Sequence, residues 1–133
     1  MTIINLTPHN FDVYAEFQFV NLERVNATTL IADSVEGNAI LSLPSAGSIR
    51  IDKTEEEWRT INGIPTVITK YGDAVGIPES VTAEDVLVVS LPAQSMAVAA
   101  NHPLASQMAS PYKVVRLRSN TSTVLGCMGL SFQ

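Results

Sequence analysis

The stretch Ile61-Asn62-Gly63-Ile64 decides how the middle of this chain folds. An Asn-Gly pair between apolar residues predicts a two-residue type I′ turn, because that turn needs positive φ at both central positions. The sequence therefore predicts a β-hairpin with arms over residues 48–61 and 64–71. The acidic run Glu55-Glu56-Glu57 in the first arm is interpreted as a solvated strand edge, with a helical turn as the alternative.

A sheet with one packed helix is expected around this hairpin. Val86-Leu87-Val88-Val89 is a continuous apolar run, which is typical of a central strand covered on both faces. The small residues that follow predict a helix beginning near Pro92, with Ser90 or Leu91 just outside it. We expect an α+β fold, with residues 1–133 forming a single globular domain. Its sheet would be mixed and mostly antiparallel, with β-hairpins and one main packed helix.

Composition narrows the class of protein. The chain has 133 residues, of which 46% are hydrophobic and 16% charged, so it can bury a core and fold alone. Its formal net charge of -5 argues against nucleic acid as a main partner. Cys127 is the single cysteine, which excludes an internal disulfide and a zinc site with several thiolates. Neither a secretion signal nor an apolar run of membrane-spanning length is recognised, so a cytoplasmic protein without membrane contact is expected.

Signatures of catalysis are missing from the sequence. It contains no phosphate-binding loop, no dinucleotide fingerprint, no His-Glu-x-x-His and no Gly-x-Ser-x-Gly. The two histidines, His9 and His102, stand far apart in the chain and more often serve structural roles than metal binding. We therefore predict no catalytic residue, no metal and no cofactor, and favour a binding protein over an enzyme.

Three polar turns are candidate ligand sites. The first spans residues 5–10, where turn chemistry explains the polar side chains, unless a rigid turn aims Thr7 and His9 at a ligand. The second spans residues 43–50, either an ordinary strand connection or an anion site with an arginine nearby. The third is the helix start at Ser90, either a simple cap or an anion site. Arg116 and Arg118 share one strand face and would add positive charge.

The motif Asn5-Leu6-Thr7-Pro8-His9 resembles the opening of a family of short, mostly uncharacterised proteins of bacteriophages and of bacteria that carry phage genes. The likeness continues through Pro44-Ser45-Ala46-Gly47 with Arg50, Gly63-Ile64-Pro65, Tyr71-Gly72-Asp73, Gly76-Ile77-Pro78, Val89-Ser90 and the region from Gly126 to Gly129. Ala46 lengthens the family's Pro-Ser-Gly turn by one residue. The resemblance implies a genomic setting and no particular reaction.

That setting and the chemistry of the turns together predict a small-molecule-binding protein that sequesters a nucleotide-derived immune signal in the cytoplasm of the infected bacterial cell. The predicted ligand-binding residues are Thr7 and His9 for polar edges, Ser45, Gly47 and Arg50 for phosphate, Tyr71 for base stacking, and Ser90 with Gln94 at the helix start. Thr7, His9, Arg50 and Ser90 should meet in one pocket, because loops at one end of a sheet gather binding groups.

Two other functions are consistent with the same residues. The protein could inhibit a host factor by presenting a sheet edge and negative charge to it. It could also be a small nucleotide hydrolase in which His9 acts as base. A homodimer is expected, since pairing two copies deepens a cleft and twofold dimers are the commonest oligomers.

Overall fold

The computed structural model describes residues 2–133 and consists mainly of short strands. The strands are β1 Ile3–Asn5, β2 Phe11–Val13, β3 Phe19–Val20, β4 Glu23–Arg24, β5 Leu30–Ala32, β6 Ser34–Val35, β7 Leu41–Leu43, β8 Arg50–Ile61, β9 Ile64–Val75, β10 Val86–Val88, β11 Met108–Tyr112, β12 Val115–Leu117, β13 Asn120–Gly126 and β14 Gly129–Phe132. The helix α1 spans Leu91–Ala99, and 3-10 turns lie at Glu16–Gln18 and Ala105–Gln107. Six of the nine strand pairs in this part of the chain are antiparallel, which confirms the predicted α+β class.

A four-stranded sheet in the order β1-β10-β11-β14 forms the centre of the fold. β10 pairs in parallel with both β1 and β11, and β14 closes the sheet antiparallel to β11. Leu87 and Val88 of β10 are completely buried, as the continuous apolar run predicted. Parallel neighbours need a crossover connection, and α1 lies within the one that links β10 to β11.

Residues at the two ends of α1 determine where the helix begins and ends. The Ser90 side chain caps the first turn by accepting a hydrogen bond from the backbone N–H of Ala93 at 3.3 Å, and Pro92 occupies an early position where no N–H is needed. Asn101 adopts a φ of 53° just after the helix, a left-handed conformation that asparagine tolerates and that stops the helix. Ala97 on its inner face is fully buried against the core around Leu87.

A second four-stranded sheet, in the order β13-β12-β5-β4, lies beside the first. β12 pairs in parallel with β5 and antiparallel with β13, and the β12–β13 ladder contains two register shifts. The pairs β2–β7 and β3–β6 complete the body of the domain. Phe19, Leu30 and Val115 form the buried core of this half.

The predicted hairpin exists and is longer than expected. Asn62 and Gly63 occupy its turn with φ of 51° and 79°, the positive values that a type I′ turn requires. β8 and β9 have 12 residues each, so the ladder runs past Tyr71 to Val75 and reaches about 40 Å at the usual rise per residue. We call residues 50–75 the arm. Glu55, like its two acidic neighbours, lies exposed on β8, so the solvated-edge interpretation holds and the helical turn does not form.

Candidate ligand-binding cleft

A cleft of about 1080 Å³ opens on the body of the domain. Its walls are residues 7–12, from the turn after β1 into β2, residues 111–114 at the end of β11 with Arg116 of β12, and residues 124–127 at the end of β13. The region of β4 and β5 adds Arg24, Ala27, Thr28 and Leu30. Ser90 and Leu91, at the start of α1, complete one side. The cleft therefore lies where elements of both four-stranded sheets and the helix start come together.

Three cations line this cleft, namely Arg24, Lys113 and Arg116. Arg24 donates from Nη1 to the carbonyl of Ala27 at 3.1 Å, and Arg116 donates from Nη1 to the carbonyl of Thr121 at 3.2 Å. Within residues 2–133, none of the three cations forms an ion pair with a carboxylate. Backbone carbonyls thus orient two guanidinium groups without neutralising them.

Three of the other five cations, Arg50, Lys70 and Arg118, form ion pairs with carboxylates, and the remaining two, Lys53 and Arg59, lie on the arm away from the cleft. Arg118 donates from Nη1 to Glu23 at 2.6 Å and from Nε to Asp33 at 2.7 Å. Hydrogen bonds from Asn21 and Arg118 lower the pKa of the Asp33 carboxyl, so this cluster stays charged over the neutral range. Arg50 and Lys70 pair with carboxylates on the arm. Arg116 lies on β12 and Arg118 follows it, and only Arg116 lines the cleft.

Apolar and aromatic groups make up much of the remaining cleft surface. Leu30, Val114 and Val124 contribute aliphatic walls, and Tyr112 contributes a ring that is 48% exposed. Lys113 Nζ lies 5.4 Å from the centre of the Tyr112 ring, a cation–π arrangement. Asp12 is an acidic lining residue, and its Oδ1 accepts a hydrogen bond from the Ser42 hydroxyl. A planar apolar group beside an anion would fit such a surface.

The Asn5-to-His9 motif builds one rim of the cleft by turn chemistry. Asn5 is only 2% exposed; its Nδ2 donates to the carbonyls of His9 at 2.8 Å and Leu43 at 3.0 Å, and its Oδ1 accepts from the Thr7 N–H at 3.1 Å. The Thr7 hydroxyl lies 2.7 Å from Asn5 Oδ1 and 2.9 Å from the His9 carbonyl, so its one proton is used within the turn. Thr7 therefore holds the rim, while the exposed His9 imidazole has no hydrogen bond to a described residue.

Ser45 belongs to the support of this rim. Its hydroxyl donates to the Thr7 carbonyl and accepts from the Gly47 N–H at 3.3 Å. Ala46 donates its N–H to the Asn5 carbonyl at 2.8 Å, which ties the second polar turn to the first. The Ser45 turn is thus a strand connection that braces the motif and does not line the cleft.

Besides Ser45, four of the predicted site residues lie outside the cleft. One is in the second polar turn, two are on the arm and one is in the core: Gly47, Arg50, Tyr71 and Gln94. Gly47 sits beside Leu6, and Gln94 is 1% exposed inside the sheet–helix interface. Arg50 is at the base of the arm, with Nε on Asp52 Oδ1 at 3.1 Å, and Tyr71 lies on the same arm.

Thr7, His9 and Ser90 do converge on the cleft. Arg50 and Tyr71 do not join them, because Arg50 pairs with Asp52 at the base of the arm and Tyr71 lies further along it, and neither residue lines the cleft. The prediction that Thr7, His9, Arg50 and Ser90 meet in one pocket is therefore wrong for Arg50.

Arg24 and Lys113 were missed by reasoning from the sequence. They are 89 positions apart and meet only because β4 and β5 pair next to β12. The composition gave one indication of an anion site. The chain has 8 Lys and Arg residues against 13 Asp and Glu residues, so cations that lack a carboxylate partner are candidates for anion binding. No motif marked these two positions.

Cys127 lines the cleft without the properties of a nucleophile. The thiol is buried, and burial raises its pKa, so it is protonated near neutral pH. Within residues 2–133, no group of three or more His, Cys, Asp or Glu side chains could hold a metal ion. The same residues include no helix with the length and apolar character needed to cross a lipid bilayer.

Comparison with protein families, curated proteins and solved structures finds no match to this chain. The resemblance of the Asn5-to-His9 motif to phage proteins stays a prediction.

Proposed function

We propose that this protein binds an anionic small molecule in the cleft, and that the ligand is a nucleotide-derived immune signal that the protein sequesters. The observation that carries the proposal is the set of three cations without carboxylate partners, Arg24, Lys113 and Arg116, in one cleft of a chain whose net charge is -5. Charge-assisted hydrogen bonds from arginine and lysine are the usual means of holding phosphate.

The rest of the cleft supports a nucleotide more than a bare anion. Tyr112 offers a ring for base stacking, the role that Tyr71 was predicted to fill. His9 and Ser90 supply polar groups at the rim, and a cleft of about 1080 Å³ has room for a nucleotide. The Ser90 hydroxyl already caps α1, so its contribution would be shared with the helix start.

The residues that line the cleft favour capture of the ligand over its chemical turnover. The cleft offers a protonated Cys127 thiol and an unassisted His9 imidazole, and no carboxylate orients that imidazole among the described residues. General-base catalysis needs a base held against the reacting proton. We therefore propose a binding protein acting in the cytoplasm of a phage-infected cell.

Calorimetry with a panel of cyclic dinucleotides, ADP-ribose-type nucleotides, inorganic phosphate and adenosine tests the proposal. A phosphate-bearing nucleotide should bind, and Lys113→Ala and Arg116→Ala should each weaken its affinity by about 10- to 150-fold, the worth of a hydrogen bond to a charged group. Lys53→Ala and Arg50→Ala are matched controls, because both cations lie on the arm and should leave affinity unchanged.

Mass spectrometry of the ligand released by denaturing the complex separates capture from turnover. Recovery of intact nucleotide supports sequestration, and recovery of a hydrolysed product supports the hydrolase alternative. If no nucleotide binds, or if affinity falls equally in the arm controls, the cleft proposal is wrong.

Inhibition of a host protein is a second candidate, favoured by a separate observation. Glu55, Glu56 and Glu57 lie exposed on β8, whose outer edge pairs with no other described strand. An acidic sheet edge can bind a basic protein surface. A nucleotide-free protein that still inhibits a host enzyme, and loses inhibition in Glu55→Lys/Glu57→Lys, would favour this function.

A further inference from the structure

The arm exposes an unusual share of the chain's apolar surface. Seven of the fifteen large apolar side chains exposed among the described residues belong to this segment of 26 residues: Trp58, Ile61, Ile64, Val67, Ile68, Tyr71 and Val75. Ile51, at the base, is the buried residue of β8, and every residue of β9 is at least partly exposed. A two-stranded ribbon of this kind is marginal alone and gains stability from further strands.

The two outer edges of the arm differ in charge. β8 carries seven charged residues among 12, including the acidic run 55–57, and two copies of such an edge would repel each other. β9 carries Lys70 and Asp73, and its residues 64–69 have no charge. Lys70 is itself neutralised by Glu56, with Nζ 2.8 Å from Oε2. Pro65 has no N–H to donate near the turn, so the β9 edge is open to pairing from Thr66 onward, whereas the β8 edge is protected along its length.

We propose that the outer edge of β9 pairs antiparallel with the same edge of a second copy of this chain, about a twofold axis at Thr69. In this register Thr69 faces Thr69 of the second copy, and Val67 faces Tyr71. Thr–Thr and β-branched–aromatic pairs are favourable cross-strand neighbours. Lys70 faces Ile68, and the two Lys70 residues are diagonal neighbours about 7–8 Å apart, each with its charge offset by Glu56 of its own arm. The edge is thus complementary to itself in both side chains and charge.

The same charge pattern explains why assembly would stop at two chains. Each arm has one open edge, and pairing uses both open edges. The charged β8 edges then become the outer strands of a four-stranded sheet, where their acidic side chains oppose further growth. A closed twofold dimer is therefore a better occupant of the β9 edge than an extended fibre. This inference is independent of the cleft, since no cleft-lining residue lies on the arm.

Cysteine cross-linking tests the register. Residues directly opposite in an antiparallel pair have Cα atoms about 4.5–5.5 Å apart, within the range for a disulfide. Under mild oxidation, Thr69→Cys should form a species of twice the 14.3 kDa chain mass. Thr54→Cys is the matched control: it lies on β8 of the same arm and should stay at chain mass. Cys127 is buried in both variants.

A charge placed on the axis gives a second readout. Light scattering of the unmodified protein at about 100 µM should give twice the chain mass, and Thr69→Lys should give the chain mass while circular dichroism shows that its fold is unchanged. Thr54→Lys should remain dimeric. An unmodified protein that is monomeric at this concentration overturns the proposal. Cross-linking through Thr54→Cys in place of Thr69→Cys also overturns it, since the pairing edge would then be β8.

Discussion

The carbonyl oxygen of His9 accepts a hydrogen bond of 2.8 Å from the buried amide of Asn5, four residues earlier. The Asn5 amide also donates to the carbonyl of Leu43, and the Asn5 side-chain oxygen accepts a hydrogen bond from the Thr7 N–H. Both amide protons and the amide oxygen of this buried side chain are therefore used to hold the rim of the cleft and the strand beside it. The position of His9 is therefore determined by the end of β1 in the central sheet.

Replacing that amide should loosen the rim. Asn5→Ala removes the amide donor to the Leu43 carbonyl and the acceptor of the Thr7 N–H, and it leaves the His9 carbonyl with the Thr7 hydroxyl alone; an unsatisfied buried polar group costs about 1–3 kcal/mol. We expect the free energy of unfolding, measured by urea denaturation, to fall by that amount. Asn10→Ala, an exposed neighbour, is the control and should change it by less than about 0.5 kcal/mol. Equal values for the two variants would mean that the Asn5 network is dispensable.

Gln94 should behave as a structural residue and not as a ligand contact. Its Nε2 donates to the carbonyls of Met108 at 3.1 Å and Ser131 at 3.0 Å, which joins α1 to β11 and β14. Gln94→Leu should lower the free energy of unfolding by about 1–3 kcal/mol because both carbonyls lose their donor. The affinity for any ligand of the cleft should stay unchanged. A stable variant with weakened binding would restore Gln94 to the site.

The turn of the arm should depend on its glycine. Gly63 has a φ of 79°, and a Cβ added there would meet no atom within 4 Å, so conformation and not crowding limits what can replace it. Gly63→Val should destabilise the arm by about 1 kcal/mol or more, since β-branched residues avoid positive φ. Hydrogen exchange over residues 50–75 measures this directly. Gly63→Asn, which tolerates the conformation, should exchange more slowly than the valine variant.

Acid should weaken the turn before β10. The backbone N–H of Thr82 at 2.9 Å, followed by that of Thr2 at 3.2 Å, lowers the pKa of the Asp85 carboxyl below its usual value. A depressed pKa in the folded protein stabilises it above the pKa of the unfolded chain, and that stability is lost as pH falls through the folded value.

The gap in unfolding free energy between the unmodified protein and Asp85→Asn should therefore be constant near neutral pH and shrink below about pH 4. Denaturation at a series of pH values measures it. Glu84→Gln, which removes an exposed carboxylate from the same turn, controls for charge loss alone. A gap that widens on acidification would contradict the role assigned to the Asp85 hydrogen bonds.

Elements that depend on neighbouring residues were predictable from the sequence. The Asn62-Gly63 turn needs only two residues with positive φ, and the helix start needs only the Ser90 cap and Pro92. The burial of Gln94 was not predictable, because it depends on which helix face meets β11. The polar side chain of Gln94 suggested a ligand contact, whereas its amide donates hydrogen bonds to the carbonyls of two strands.

The candidate site was predictable only in part for the same reason. Thr7, His9 and Ser90 follow the ends of neighbouring strands in one sheet, so their convergence followed from topology. Arg50 was misplaced because nothing in the sequence indicates that its guanidinium pairs with Asp52 at the base of the arm instead of reaching the cleft. Arg24 and Lys113 meet through pairing between distant strands, which no local pattern encodes.

The pairing of β1 with β10 has a consequence for the order of events in folding. Ile3 lies opposite Val86, and β14 joins the same sheet from residues 129–132, so this sheet takes strands from positions separated by almost the whole chain. Such high contact order slows folding, because long loops must close before the contacts form. During synthesis the arm can form early from its local turn, whereas the β1 end that carries His9 cannot pair until β10 has left the ribosome.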